Sequence, residues 1–559
     1  MKHYLHIPFA LLFFFSTSLY AQQKLSPTEA QMEDLFGDWT DDTKPGLALC
    51  VLNDGKIEFQ KNWGLANVEH GIEIENETVF LFPDMSEQML AFSILLLVDR
   101  EELSMDEQLG ANLDFLPAQL QELTIEDLLH HRTGLIPMNF VKTLAGHQNH
   151  TGTTKPDLIN LLDKKMATAG TLDSYDYSRA GLRLLQMILE KKTKSSFANF
   201  AQKEIFAPLQ MKSSSIAPPG QSIPHKAQGY VKNEEGFQTF QEPTNYLACD
   251  QLYTTSYDLC LWADNFWRPK IGHQKIWQQM DQLMTSEGEP LEMKNTAQYV
   301  GQHRYWNYLG ESKLYQIGMT RSFAAKLIRY PKHDLAVVVL GNFGEYNGHL
   351  ATGCSQFYLQ PFLADPPTAK EQPTFLATNQ LDLDQYCGNY WDYKNESGAV
   401  VSFENDTLFY TDLISGWKIK LENVADDQFY LNRRSGYDVA IDTEEGELTL
   451  LIPGQKPKQL IKVPVNSDWQ AHVSEIAGHY HNQELAMSHE LVVNKEGITL
   501  QNKRAIDISF KPLTKDTYTS TDLYYSRINV DRDPTGMVTG IRISNPKLKD
   551  ILFEKQGVQ

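Results

Sequence analysis

Beyond its first two dozen residues, this 559-residue sequence has no apolar run of about 18 residues, so no bilayer-spanning helix is expected in the mature chain. Basic charge is also short: 50 Lys and Arg against 71 Asp and Glu leave a formal net charge of -21. That balance argues against nucleic acid and anionic membrane surfaces as partners, since both call for a basic patch. Cysteine is scarce. Cys50, Cys249, Cys260, Cys354 and Cys387 have no metal-ligand spacing, and settings such as Ala-Leu-Cys50-Val read as buried free thiols. Cys249 and Cys260 could pair in an oxidising compartment, and the residues alone leave this open. No cysteine follows the N-terminal apolar stretch, so a lipid anchor there is unsupported. No metal and no cofactor is expected.

The N-terminus itself reads as a secretory signal. Lys2 supplies the positive start, Ile7 to Phe15 the apolar core and Ala21 the small residue before a cut at Gln22, although Leu19 stands where a second small residue is usual. The mature protein is expected to be exported, to the periplasm or beyond the cell. The length exceeds one core and implies two to four domains.

One stretch organises the first of them. An entry segment ends at Pro83, and a helix apolar on nearly every face runs through Leu97, as befits the buried central helix of a large domain. Asp84 stands at its start and Glu87 one turn on, on the same side. Before it, a short helix from Pro27 to Leu35 precedes two strands, Gly46 to Leu52 and Lys56 to Trp63, joined at Asn53-Asp-Gly55. Asp106 to Leu109 closes the central helical region, and Thr124 opens a helix ending near Gly134. Tyr175 to Leu209 has helical periodicity, with Leu182, Leu185, Ile188 and Leu189 on one stripe. Strand-like runs such as Leu335 to Leu340 follow, and His349 to Leu363 reads as a closing helix. Helices lying between early and late β segments imply one α/β domain whose sheet pairs both ends.

A proline-rich polar linker begins at Ala364. Beyond it the pattern turns to short strands carrying an internal repeat. Gly388-Asn-Tyr390 returns as Gly478-His-Tyr480 and Gly446 returns as Gly536, each 90 residues later (478 against 388, 536 against 446). Asp427-Gln-Phe429 is answered by Asp516-Thr-Tyr518. Two small antiparallel β domains, barrel-like, fit best. Neither holds a His/Cys/acid cluster, so they read as structural or binding modules. The expected division is a signal peptide at 1–21, an α/β domain at 22–363, a linker at 364–380 and β domains at 381–465 and 466–559.

From about Pro45 to Leu363 the chain resembles the serine β-lactamase and penicillin-binding-protein superfamily, in its class C-like, D-alanyl-D-alanine-carboxypeptidase and esterase branch. Pro45-Gly-Leu-Ala-Leu, Gly64-Leu-Ala-Asn-Val-Glu-His70 and Thr78-Val-Phe80 follow that family's entry strands in order. Leu128-Leu-His-His-Arg-Thr-Gly-Leu135 is similar to its Leu-Leu-x-His-x-Ser-Gly-Leu turn. Ile205-Phe-Ala-Pro-Leu-Gln-Met-Lys212 and Thr255-Ser-Tyr-Asp-Leu259 resemble two further family segments. The two β repeats look like the lipocalin-like domains often appended to such proteins. In this resemblance His130 and His131 shape a turn and take no part in chemistry.

The family's chemistry uses a Ser-x-x-Lys pair at the central helix start, a Tyr-x-Asn or Ser-x-Asn motif, and a Lys/His-x-Gly motif on the closing strand. In the register implied by Gln88 to Leu97, Asp84 takes the nucleophile's place and Glu87 the lysine's. Tyr177-Ser-Arg179 occupies the second motif and Gln316-Ile-Gly318 the third, so all three are altered. A carboxylate is a poor acyl acceptor, because the mixed anhydride it would form is high in energy. Ser86 sits roughly 200° from Asp84 around the helix and should face away from the pocket. Two acids at a helix N-terminus gain roughly 0.3–1 kcal/mol each from its dipole. Arg179 across the cleft should form a bidentate pair with a carboxylate there. Asp84 and Glu87 lack a third metal ligand. The expectation is an exported β-lactamase-fold protein that has lost catalysis and binds a cell-wall-like peptide, a small ligand or a partner. The alternatives are an active hydrolase using an unconventional residue, and a structural envelope protein.

Overall fold

The computed structural model describes residues 29–39, 43–135, 140, 143–144, 155–162, 178–217, 221–233, 236–242, 251–282, 304–308, 310–344, 348–363, 383–413, 418–425, 428–431, 437–442, 446–451, 457–463, 469–501, 507–522 and 524–557. The signal stretch, the linker, Tyr177, Cys249 and Asp427 lie outside the described residues.

The first unit is an α/β sandwich. After α1 (Glu29–Leu35), β1 (Leu47–Asn53) turns back into β2 (Lys56–Trp63) at Asp54 and Gly55, both of which adopt positive φ. The later strands β3 (Arg304–Tyr308), β4 (Glu311–Met319), β5 (Ala324–Tyr330) and β6 (Leu335–Gly341) complete a sheet ordered β3-β4-β5-β6-β1-β2. Leu47 pairs with Gly341 and Asn53 with Leu335, so the chain's early and late strands meet at the sheet's centre. Every residue of β6 is buried, as the unbroken apolar run requires when both faces are covered. Ala48, Cys50, Leu52, Val338 and Leu340 face one layer, while Leu47, Leu49, Val51, Val337 and Val339 face the other. The second layer holds α1 and α6 (Gly348–Leu359).

The first layer is built on α2 (Pro83–Asp99). Pro83 presets the first helical turn, and fourteen of its residues are buried. Phe92 stacks on Trp277 at 4.7 Å and meets Trp262 edge-on at 5.5 Å. The Trp262 indole donates to Gln88 Oε1 at 2.6 Å, which ties α2 to the later helix that carries Trp262. The helix ends at Asp99, so residues 106–109 belong to a separate turn and do not close it. α3 (Ile125–Leu129) starts at Thr124, where Thr124 and Asp127 form a reciprocal capping box. α4 (Arg179–Thr193) is shorter than the periodicity suggested. Lys194 turns left-handed, and Ser196 caps a new helix beyond it. Thr255 caps α5 (Ser256–Asp264), where Cys260 is a fully buried free thiol. Burial, together with the adjoining Cys50 thiol, pushes Cys260 well above the usual thiol range.

Two closed antiparallel barrels of eight strands follow. The first comprises β7 (Gly388–Asp392), β8 (Ser397–Glu404), β9 (Thr407–Asp412), β10 (Lys418–Ala425), β11 (Gln428–Leu431), β12 (Tyr437–Asp442), β13 (Glu447–Leu451) and β14 (Lys458–Val463). Helix α7 (Trp469–Ile476) leads into the second. That barrel comprises β15 (Gly478–Asn482), β16 (Met487–Val493), β17 (Ile498–Gln501), β18 (Ile508–Thr514), β19 (Thr517–Thr519), β20 (Arg527–Arg532), β21 (Val538–Ser544) and β22 (Ile551–Lys555).

The repeat has a structural cause. Tyr390 and Tyr480 each donate a hydroxyl hydrogen to the carbonyl four residues back, at 2.8 and 2.5 Å. Over each ring lies a lysine from the last strand of its barrel, Lys462 at 5.9 Å and Lys555 at 5.8 Å. Each lysine also donates to a carbonyl just before the barrel, Gln385 or Glu475. Gly388 and Gly478 let those lysine stems cross, because an added Cβ would stand 2.8 Å and 3.2 Å from them. The barrels are joined through Trp391, Val463 and Leu513, and through a buried fork in which Arg527 donates to both oxygens of Glu396 at 2.7 and 2.8 Å.

Candidate functional site

Three elements converge at the N-terminus of α2. Asp84 enters on its first turn, Arg179 is the first residue of α4, and Gln316 and Gly318 lie on β4, which packs along α2. Arg179 Nη2 donates to Asp84 Oδ1 at 2.8 Å, and its Nε lies 3.4 Å from Glu87 Oε1. One guanidinium therefore bridges both acids, where the sequence suggested a fork onto one carboxylate. Glu87 is 3% exposed and Asp84 17%, while Arg179 is 49% exposed and faces the open side.

Gln316 donates from Nε2 to the Asp84 backbone carbonyl at 3.0 Å, so it staples β4 to the helix start. Gly318 has a steric duty. A Cβ there would lie 2.4 Å from the Phe82 ring and 3.1 Å from Asp84 Oδ2, so only glycine lets the strand lie flush against the helix entry. Ser86 is fully buried, and its hydroxyl donates to the Pro83 carbonyl at 2.6 Å. That hydroxyl is thus engaged by the helix's own first turn. Asp84, Glu87, Arg179, Gln316 and Gly318 are thus brought together, and Tyr177 is not among the described residues.

Two histidines outside the motifs frame this site. His131, in a left-handed conformation and buried, accepts the backbone N–H of Ser178 at Nδ1, 3.3 Å away. It therefore holds the residue immediately before Arg179. The paired histidines in the sequence drew attention to the turn, but nothing in their spacing indicated that acceptor role. Burial, reinforced by Arg132, pushes neighbouring His130 down to about 4, which keeps it neutral at ordinary pH. Among the described residues no three His, Cys, Asp or Glu side chains gather as metal ligands. Among the described residues the arrangement presents two carboxylates bridged by one cation, and neither motif position on the helix carries a hydroxyl.

A mixed sheet-and-helix unit with a buried central helix, whose first turn meets a glycine-bearing strand and the start of a second helix, is the architecture of serine β-lactamases and penicillin-binding proteins. A family model described as Beta-lactamase matches residues 30–352, and the chain belongs to that family. Its relatives include "Protein flp" of Staphylococcus aureus strain MW2, 21% identical over 310 residues, covering 53% of this chain and 59% of the relative. A D-aminopeptidase of Gluconobacter oxydans strain 621H is 30% identical over 200 residues, 35% of this chain and 37% of the relative. The chain thus spans well under two thirds of the length of either. Among solved structures, an octameric penicillin-binding protein homologue from Pyrococcus abyssi superposes with a TM-score of 0.52 at 20% identity, over 77% of this chain and 98% of that one. That likeness concerns the fold.

Proposed function

We propose that this chain is an exported, catalytically silent member of the β-lactamase family whose cleft binds a peptide or small molecule through an amine. Asp84 and Glu87 then stand where the family's serine and lysine would be, and Tyr177-Ser-Arg179 and Gln316-Ile-Gly318 occupy the two other motifs. The observation that carries this reading is the Arg179 bridge across Asp84 and Glu87. An acid that is already paired and stands at the acylation position cannot turn over through an acyl-enzyme, because attack by a carboxylate yields a strained, high-energy anhydride. The net negative charge of the trio favours a cationic group such as a peptide N-terminus. A relative named as a D-aminopeptidase fits a ligand of that kind. Export rests on the N-terminal signal pattern, and no described helix is long and apolar enough to cross a membrane.

The test pairs labelling with binding. Fluorescent penicillin and a fluorophosphonate should leave the protein unlabelled, while calorimetry with D-alanyl peptides should show binding that acetylation of the peptide amine abolishes. Stoichiometric labelling in the pocket would restore the enzyme reading. Equal affinity for the acetylated peptide would refute the amine.

A further inference from the structure

The second barrel holds a titratable side chain that the barrel fold itself does not need. His489 on β16 is 1% exposed, its ring turned into the lumen, and neither ring nitrogen has a hydrogen-bond partner. Ser488 and Glu490 on either side of it point outward. Its neighbours are the Phe553 ring at 4.7 Å and the edge of Tyr525 at 5.8 Å. The first barrel shows that another residue serves here: Ala399 pairs with Tyr390 as His489 pairs with Tyr480, and Ala399 is equally buried.

Tyr525 also holds the first unit. Its hydroxyl donates to the Thr143 carbonyl at 2.7 Å. Phe140 meets Tyr524 edge-on at 5.2 Å, and Leu144 is wholly buried in the second barrel's apolar cluster. Phe140, Thr143 and Leu144 follow the turn whose His131 accepts the Ser178 amide beside Arg179. The barrel therefore holds residues that follow that turn in the chain.

We propose that the second barrel is an acid-released latch on the first unit: protonation of His489 unseats Tyr525 and frees Phe140, Thr143 and Leu144. An imidazolium needs two acceptors, and neither ring nitrogen of His489 has a hydrogen-bond partner. Its titratable neighbours are Tyr480, paired with it across the strands, and Tyr525, whose ring meets its own, and Tyr518 belongs to the same buried cluster as both. Beyond them, Lys555 lies over the Tyr480 ring and Arg532 is paired with Glu475 and Asp516. Burial accordingly holds His489 down to about 4, against 6.5 when free. The latched state thus disfavours the proton that the released state accepts. Docking is complete above pH 6.5 and weakens as pH falls toward 4, by about 30-fold at pH 5. This latch is independent of what the cleft binds.

Hydrogen exchange on the full chain, corrected for the intrinsic pH dependence of exchange, reads the latch at the amides of Phe140, Thr143 and Leu144. Protection should fall about 30-fold between pH 7.5 and 5 in the wild type. In His489→Phe, or in His489→Ala, which copies the first barrel, it should stay high at both. Tyr525→Phe keeps the ring but loses the bond to Thr143, and should lower protection already at pH 7.5. Three results would overturn the latch: wild-type protection unchanged by pH, a fall that persists without His489 and so points to His130, or full protection in Tyr525→Phe.

Discussion

The body of α2 and its first turn are parts of one helix that answer to different demands. From Met89 to Leu97 the residues are apolar or small and buried, and Phe92 packs into the aromatic cluster of Trp262 and Trp277. At the first turn, Asp84 and Glu87 are held by Arg179, and the surrounding residues serve to seat them: Gln316 on the Asp84 carbonyl, Gly318 against Phe82, His131 behind Ser178. A helix can keep its packing while its leading edge changes chemistry, because the two depend on different neighbours.

That contrast can be sharpened by mutation. Phe92→Ala removes a fully buried ring from the helix body and should cost about 3–5 kcal/mol in chemical denaturation. Gly318→Ala forces a methyl into Phe82 at the boundary between body and edge. It should cost about 1–3 kcal/mol and loosen the helix start, read as faster amide exchange at Asp84. Arg179→Met strips the cation from two acids. The expected loss is about 1–2 kcal/mol, below that of a wholly buried pair because the guanidinium is half-exposed. A second change, Glu87→Gln, should recover most of it; failure to recover would mean that Arg179 acts through packing alone. Thr124→Ala removes a helix cap remote from the edge, costs about 1 kcal/mol, and should leave ligand binding unchanged.

Much of the framework was readable from residues. The apolar runs at 46–52 and 335–340 were read as strands of one sheet, and the fold places them side by side, buried on both faces. Pro83 marked the helix start, and the 90-residue repeat marked two β units, which close into barrels. Other features had no local signature. Gln316 was read only as the residue in the third motif's basic position, and nothing in that motif indicated that it bonds back to a helix carbonyl. The lysines that lock the barrels, Lys462 and Lys555, are 93 residues apart and so fall out of step with the 90-residue repeat (555 against 462). The grip of Tyr525 on Thr143 joins residues 382 positions apart, a closure that only the folded chain reveals. At the site, residue identities indicated opposite charges in one cleft, while the bridge over both acids depended on where α4 begins.

The central claim is that the edge of α2 no longer supports acylation. Intact-mass measurement of the mature chain after prolonged exposure to penicillin and to a fluorophosphonate tests it most directly. The account predicts an unchanged mass for the wild type. A stoichiometric adduct mapped to residues 84–87 would contradict it.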